Sequence, residues 1–432
     1  MLAGAFLSGT TGRLLPPLIP YRFFATAVVM HLAAWVVLLA GADSVPDFTG
    51  GLGSVLAALH LVTLGVVAMT ALGAAFQLLP VATGRHLGPH WACHLTWWLY
   101  APGVAILTAG MAFAWVPALH AGAVLAVAGL AVGGVVMAGT LARVTGMPAM
   151  TRHAWIALAS LLALAVLGLL LVADFTTGFL ANHAAVASAH ALLAGYGFMG
   201  NLAMGFSYVL VPMFVLGRSA PDAAGKRTAA LAAAALVLAA AGVLSGAGRL
   251  AALGALVGLA AAALHLDALA RIVKTRMRKR LEPFFRLLLP AWVLLPASLL
   301  AGLVLALGLP AGRTAPLWGF LMVFGWLLSF VTGVLQRIMA FLASMHSVVE
   351  GGRPALLSAL TAQRPLDFHA AAHMLALLLV GAGIVGGKTV LVRAGAVCGI
   401  AGAIAFAIFA VELARRYRAH RGASALPASS NR

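Results

Sequence analysis

Fourteen histidines stand in a chain of 432 residues, and a handful of them fall where an imidazole is costly. His60 and His190 each lie inside a long apolar run, in HLVTLGVVAMTALGAAFQLLPVATGR and HALLAGYGFMGNLAMGFSYVLVPMFVLGR. Read as a helix, the first run puts His60 about eight residues in, roughly 12 Å below its outer end at 1.5 Å per residue. A polar ring at that depth needs a partner and marks a functional position. The chemistry open to it is axial ligation of a haem iron by neutral imidazole, with Leu, Val, Phe and Met as the surrounding pocket. Packing against a neighbouring carbonyl is the alternative use.

Further histidines extend the candidate set. His31 sits in mid-run and His183 stands seven residues before His190, so both are possible second ligands, although His183 borders a loop. His369 and His373 are four apart and face one way on a helix, a workable spacing for haem or copper. His346 ends the tenth run and joins this inner set. His86, His90 and His94 repeat every four residues with Cys93 beside the last. Those three read more readily as polar residues at a helix end than as a copper site. His265 and Asp267 are expected to pair in a loop, and Arg337 to extend its charge to the inner interface. Cys93 and Cys398 read as inert small hydrophobes. Phosphate-loop, dinucleotide-binding and triad signatures are absent.

These side chains must be held by something, and composition says what. Hydrophobic residues make up 63% of the chain and charged residues 8%, against about a quarter charged in soluble domains. Apolar runs of about 20 residues, enough to cross some 30 Å of hydrocarbon as helix, follow one another with little between them. Closed barrels are the other solution in lipid, but period-2 alternation is missing. The reading is an all-α integral membrane protein of about twelve transmembrane helices, with the second, sixth and tenth at 53–81, 184–216 and 316–345.

A net charge of +18 could suggest nucleic acid, but its distribution argues against that partner. With both termini inside, all but four of the 27 Lys and Arg fall on one side. The exceptions are Arg249, Arg313, Lys388 and Arg393. This is the positive-inside pattern of a multi-pass bacterial-type cytoplasmic membrane protein, with the lipid bilayer as its partner. No cleavable signal is expected at the start.

An internal repeat organises the chain. His60 precedes Gly65 by five residues, as His190 precedes Gly195 and Phe320 precedes Gly325. Gly73 precedes Pro80 by seven, as Gly205 precedes Pro212 and Gly333 precedes Ala340. The starting positions are evenly spaced, which predicts three pseudo-symmetric four-helix repeats at about 22–142, 154–269 and 286–412. Small glycines at interior positions let helices approach closely in lipid.

Twelve helices in three four-helix arcs, with histidines on spans two and six, resemble the catalytic subunit I of haem–copper oxidases and nitric-oxide reductases. HLVTLGVVAMTALGAAFQLLPVATG, GWLLSFVTGVLQRIMAFLASMH and the opening IPYRFF are similar to NnrS-type membrane haem proteins of that superfamily. The resemblance implies a haem, b-type, and possibly a copper. It implies nitric-oxide or redox-stress handling, or electron transfer, with nitric oxide or quinol as partner. His60 matches the low-spin haem ligand of span two. HALLAG at His190 lacks the oxidase copper motif, span seven carries no His pair, and Phe320 stands where span ten would offer a ligand. The oxygen-reducing binuclear site therefore does not carry over. A transporter or a scaffold with the same fold and no metal is the alternative.

Overall fold

The computed structural model describes residues 14–277, 279–309, 312–348 and 354–425. Within them the chain is helical throughout, and twelve helices are long and apolar enough to cross a membrane. We label these α1 (Leu18–Ala40), α2 (Ser54–Thr83), α3 (His90–Ala112), α4 (Val116–Leu141), α5 (Pro148–Thr177) and α6 (His183–Val215). The second half holds α7 (Asp222–Leu244), α8 (Gly248–Lys274), α9 (Phe285–Ala306), α10 (Thr314–His346), α11 (Gln363–Gly386) and α12 (Thr389–Gly422).

Three helices form the centre. In their apolar cores α2, α6 and α10 are 67%, 83% and 78% buried, whereas no other span exceeds 50%. The other nine surround them. Consecutive hairpins α3–α4, α7–α8 and α11–α12 pack closely, α4 meets α5, α8 meets α9, and α12 returns to α1. Glycines set some of the tightest approaches. A Cβ at Gly122 of α4 would lie 2.2 Å from the Leu107 backbone nitrogen of α3, and one at Gly242 of α7 2.3 Å from that of Ala251 on α8. No side chain larger than hydrogen fits at such crossings.

Each central helix is interrupted by a π-helical segment: Leu61–Ala68 in α2, Leu193–Gly200 in α6 and Leu321–Leu328 in α10. The three segments touch one another pairwise at the middle of the molecule. Widening a helix to i→i+5 bonding disturbs the carbonyl ladder, and in lipid a stranded carbonyl must find a donor. The fourth residue of every segment has one. Tyr100 Oη donates to Leu64 O (3.0 Å), Asn201 Nδ2 to Tyr196 O (2.9 Å) and Ser329 Oγ to Phe324 O (3.5 Å). Three different side chains fill one structural need.

The segments also fix the repeat register. Gly73, Gly205 and Gly333 stand at the same distance from the start of their π segments, as do Pro80, Pro212 and Ala340. His60 and Phe320 immediately precede theirs, but His190 stands two residues further back. The evenly spaced starting positions thus conceal a two-residue lengthening of the second copy above its π segment. α5 and α7 begin at Pro148 and Asp222, so both helices run through basic residues, Arg152 in one and Lys226 and Arg227 in the other, before their apolar cores.

Candidate functional site

His60 and His190 enter one site. Both line a cavity of about 790 Å³ enclosed mainly by α2, α5, α6, α7, α8 and α10 on the side away from the Arg271–Arg286 basic stretch. Their ring centroids are 6.4 Å apart and their planes differ by 19°. His60 Nδ1 lies 3.0 Å from Leu56 O, and His190 Nδ1 lies 2.9 Å from Leu164 O. A carbonyl can only accept, so in both rings Nδ1 carries the proton and Nε2 keeps the lone pair. That is the tautomer a metal-binding imidazole adopts when a backbone carbonyl orients it.

The local sequence explains how the rings are held. Leu56 is one turn before His60 on α2, so that helix supplies its own acceptor. His190 instead crosses to α5, where Gly168 stands one turn after Leu164. A Cβ on Gly168 would meet His190 Cε1 at 3.1 Å. Gly168 is therefore the gap through which His190 reaches the Leu164 carbonyl. No feature of the sequence singled it out, because the gap exists only where α5 and α6 cross. Phe320, the third member of the repeat set, also lines the cavity and stacks on Phe324 at 5.6 Å.

The rest of the wall is mainly apolar, with Thr49, Thr63 and Ser188 its small polar residues. Among the described residues its titratable side chains are His60, His183, His190 and Tyr196, with no Lys, Arg, Asp or Glu. His183, expected near water, bonds Asp174 at 2.7 Å at the mouth. An anion inside would find no counter-charge.

The two rings stand close together and nearly parallel on one wall of the cavity. The volume falls within the roughly 300–1,000 Å³ of cofactor and ligand pockets. The donor set, its tautomers and the apolar wall fit the iron and the macrocycle of a haem, whereas the wall offers its two propionates no Lys or Arg.

His31 is placed elsewhere. It is buried against His369 (centroids 5.6 Å), which stacks on His373 at 5.7 Å, so α1 and α11 together form a second histidine layer. Trp35 Nε1 donates to His31 Nε2 (3.2 Å), His369 Nδ1 donates to Gly402 O (3.1 Å), and His373 Nε2 meets Ser329 Oγ at 2.8 Å. His31 Nδ1, His369 Nε2 and His373 Nδ1 have no hydrogen-bond partner. The tautomers are unequal. Trp35 occupies the His31 Nε2 lone pair and leaves Nδ1 as a donor, whereas His369 Nε2 is a free lone pair. Among the described residues no group of three or more His, Cys, Asp or Glu side chains has the geometry of a metal cage.

The remaining candidates disperse. His346 ends α10, and Tyr417 Oη donates to its carbonyl (3.3 Å). His86 and His90 are exposed, while His94 Nδ1 faces the Arg22 guanidinium and Cys93 is buried. One expected placement is corrected. His265 does not pair with Asp267: it is buried and its Nδ1 meets Tyr208 Oη at 3.1 Å, while Asp267 binds Arg271 at 2.8 Å. On a helix, residues two apart point away from each other. Arg337 reaches the loop between α8 and α9, where it pairs with Glu282 at 3.1 Å, both side chains 15% exposed.

Sequence reasoning missed a polar cluster in the second repeat. His153 Nδ1 bonds Asn201 Oδ1 (2.7 Å) and its Nε2 meets Thr228 Oγ1 (3.2 Å). The available signal was Asn201, an amide in the middle of an apolar span. No protein-family model matches the chain, and no curated protein matches it.

Proposed function

We propose that the protein is a haem-binding protein of the inner membrane, with His60 and His190 as axial ligands of a b-type haem in the central cavity. The observation that carries this reading is the pair itself. Two imidazoles with Nδ1 committed to carbonyls and Nε2 left free stand 6.4 Å apart, nearly parallel, on the wall of an apolar cavity. The iron, when bound, supplies one-electron chemistry and the capacity to bind small diatomic gases. The chain's part is to fix both rings and to surround the macrocycle with Leu, Val and Phe side chains.

Together with the NnrS-type resemblance, this supports nitric-oxide or redox-stress handling, or respiratory electron transfer with quinol. Oxygen reduction at a binuclear centre is not part of the proposal. Copper has the weaker case. His369 Nε2 and His373 Nδ1 are unpartnered, but His31 would first have to give up Trp35.

The test is an absorption spectrum with metal analysis of the purified protein. The expected result is a Soret band and iron that are lost together in the His60→Ala, His190→Ala double variant and kept in His369→Ala, His373→Ala. A double variant at 60 and 190 with the wild-type spectrum would sink the assignment and move it to the α11 histidines. A colourless, folded wild-type protein would favour the transporter or scaffold reading, for which the same cavity serves as an uncharged binding site.

A further inference from the structure

The buried cluster of the second repeat has the connectivity of a proton conductor. His265 Nδ1 meets Tyr208 Oη at 3.1 Å, Tyr208 Oη meets Thr228 Oγ1 at 3.0 Å, and Thr228 Oγ1 meets His153 Nε2 at 3.2 Å. The four side chains come from α8, α6, α7 and α5, and none is more than 7% exposed. All lie toward the end of the bundle that carries the Arg271–Arg286 stretch.

Beyond His153 the chain ends on Asn201. Its Nδ2 donates to Tyr196 O (2.9 Å), so its Oδ1 accepts from His153 Nδ1 (2.7 Å). His153 Nδ1 therefore carries a proton permanently, and Nε2 is the site that gains or loses one. A hydroxyl both donates and accepts, so two hydroxyls between two imidazoles can be ordered in either direction.

We propose that His265, Tyr208, Thr228 and His153 form a proton relay that loads His153 from the basic end of the bundle. The step balances as follows. A proton from water arrives at His265 Nε2. The N–H at His265 Nδ1 breaks as Tyr208 Oη gains that proton. Tyr208 passes its own proton to Thr228 Oγ1, and Thr228 passes its own to His153 Nε2. His265 ends neutral with its proton on Nε2, and His153 ends as an imidazolium bonded to Asn201 and Thr228. At rest the Thr228 hydroxyl points to Gly225 O (2.9 Å) and the relay is open.

At the basic ends of the same helices Arg152, Asp222, Lys226, Arg227, the Asp267–Arg271 pair and Lys274 are exposed. The titratable groups meeting inside the cluster are the two imidazoles and Tyr208, which stacks on His153 at 6.0 Å and meets His265 edge-on at 5.2 Å. Charging His153 strengthens its bond to Asn201 and, through the polarised amide, the bond to the Tyr196 carbonyl of the π segment. Tyr196 lines the cavity, so the loaded state is felt there. The relay stands whether or not the cavity holds a cofactor.

The test is hydrogen–deuterium exchange at the ring nitrogens of His153, read by nitrogen-15 NMR of the full chain in lipid bilayers. The signals are assigned by their loss in His153→Gln. Wild type and Thr228→Ser should exchange alike. Tyr208→Phe and Thr228→Val, each lacking one hydroxyl at nearly constant shape, should slow exchange by about tenfold or more, equivalent to about 1.4 kcal/mol on the barrier. A purely structural role gives the opposite sign, since loosened packing speeds exchange through local opening. Equal or faster exchange in Thr228→Val than in Thr228→Ser overturns the proposal, including where Tyr208→Phe fails to fold.

Discussion

Gly168 decides where the His190 ring can sit. Its missing Cβ leaves the groove in which the imidazole lies against the Leu164 carbonyl. Gly168→Val should cost about 1–3 kcal/mol by overpacking and should displace the ring, whereas Gly168→Ala should be milder. Under the haem reading, a pyridine assay on purified protein should find Gly168→Val with less haem than wild type, at unchanged membrane insertion. Equal haem content would separate ring position from ligation. Single residues also show what could be foreseen. His60 and His190 stand out because an imidazole deep in an apolar run is expensive wherever it points. Gly168 does not, since glycine is common in membrane helices and its purpose here depends on a partner 22 residues away on another helix. His153 lay hidden at a basic span end, where a histidine passes for an interfacial residue; its partners Asn201 and Thr228 come from helices whose arrangement the sequence does not state.

The π segments are the features of the elements that periodicity alone could not supply. A π segment adds a residue without changing the apolar character of a run, so hydropathy reads straight through it. What was visible was its shadow, the matched glycine and proline positions that follow it. The side chains capping the widened turns give a direct experiment. Asn201→Leu and Tyr100→Phe should each leave one carbonyl without its donor and cost about 1–3 kcal/mol, measured as a lower thermal midpoint in detergent. Ser329→Ala removes both the 3.5 Å contact to Phe324 O and the 2.8 Å bond to His373 Nε2, and should cost a similar amount. If all three left the midpoint unchanged, other groups would be satisfying those carbonyls. Asn201→Leu should also free the His153 Nδ1 proton, and so be the most damaging of the three.

For the whole molecule, charge distribution predicts an orientation in the bilayer. Reporter fusions at Asp47 and Lys274 should fall in opposite compartments, with Lys274 cytoplasmic; both on one side would refute the twelve-span arrangement. The large-scale plan was legible because lipid leaves so few choices: twelve apolar runs must become twelve helices. That α2, α6 and α10 occupy the centre follows from packing that hydropathy does not state. The return of α12 onto α1 has a consequence for biogenesis. Asp43 and Asp47, between α1 and α2, find their ion-pair partners in Arg393 and Arg313 (both 2.7 Å), and His31 finds His369, all more than 260 residues later. α1 packs on α2 as soon as both are made, but its His31 and its seam with α12 wait for the helices made more than 260 residues later. Chains that stop before α11 expose a buried histidine and an unclosed seam to the bilayer, a ready mark by which membrane proteases could tell an incomplete product from a finished one.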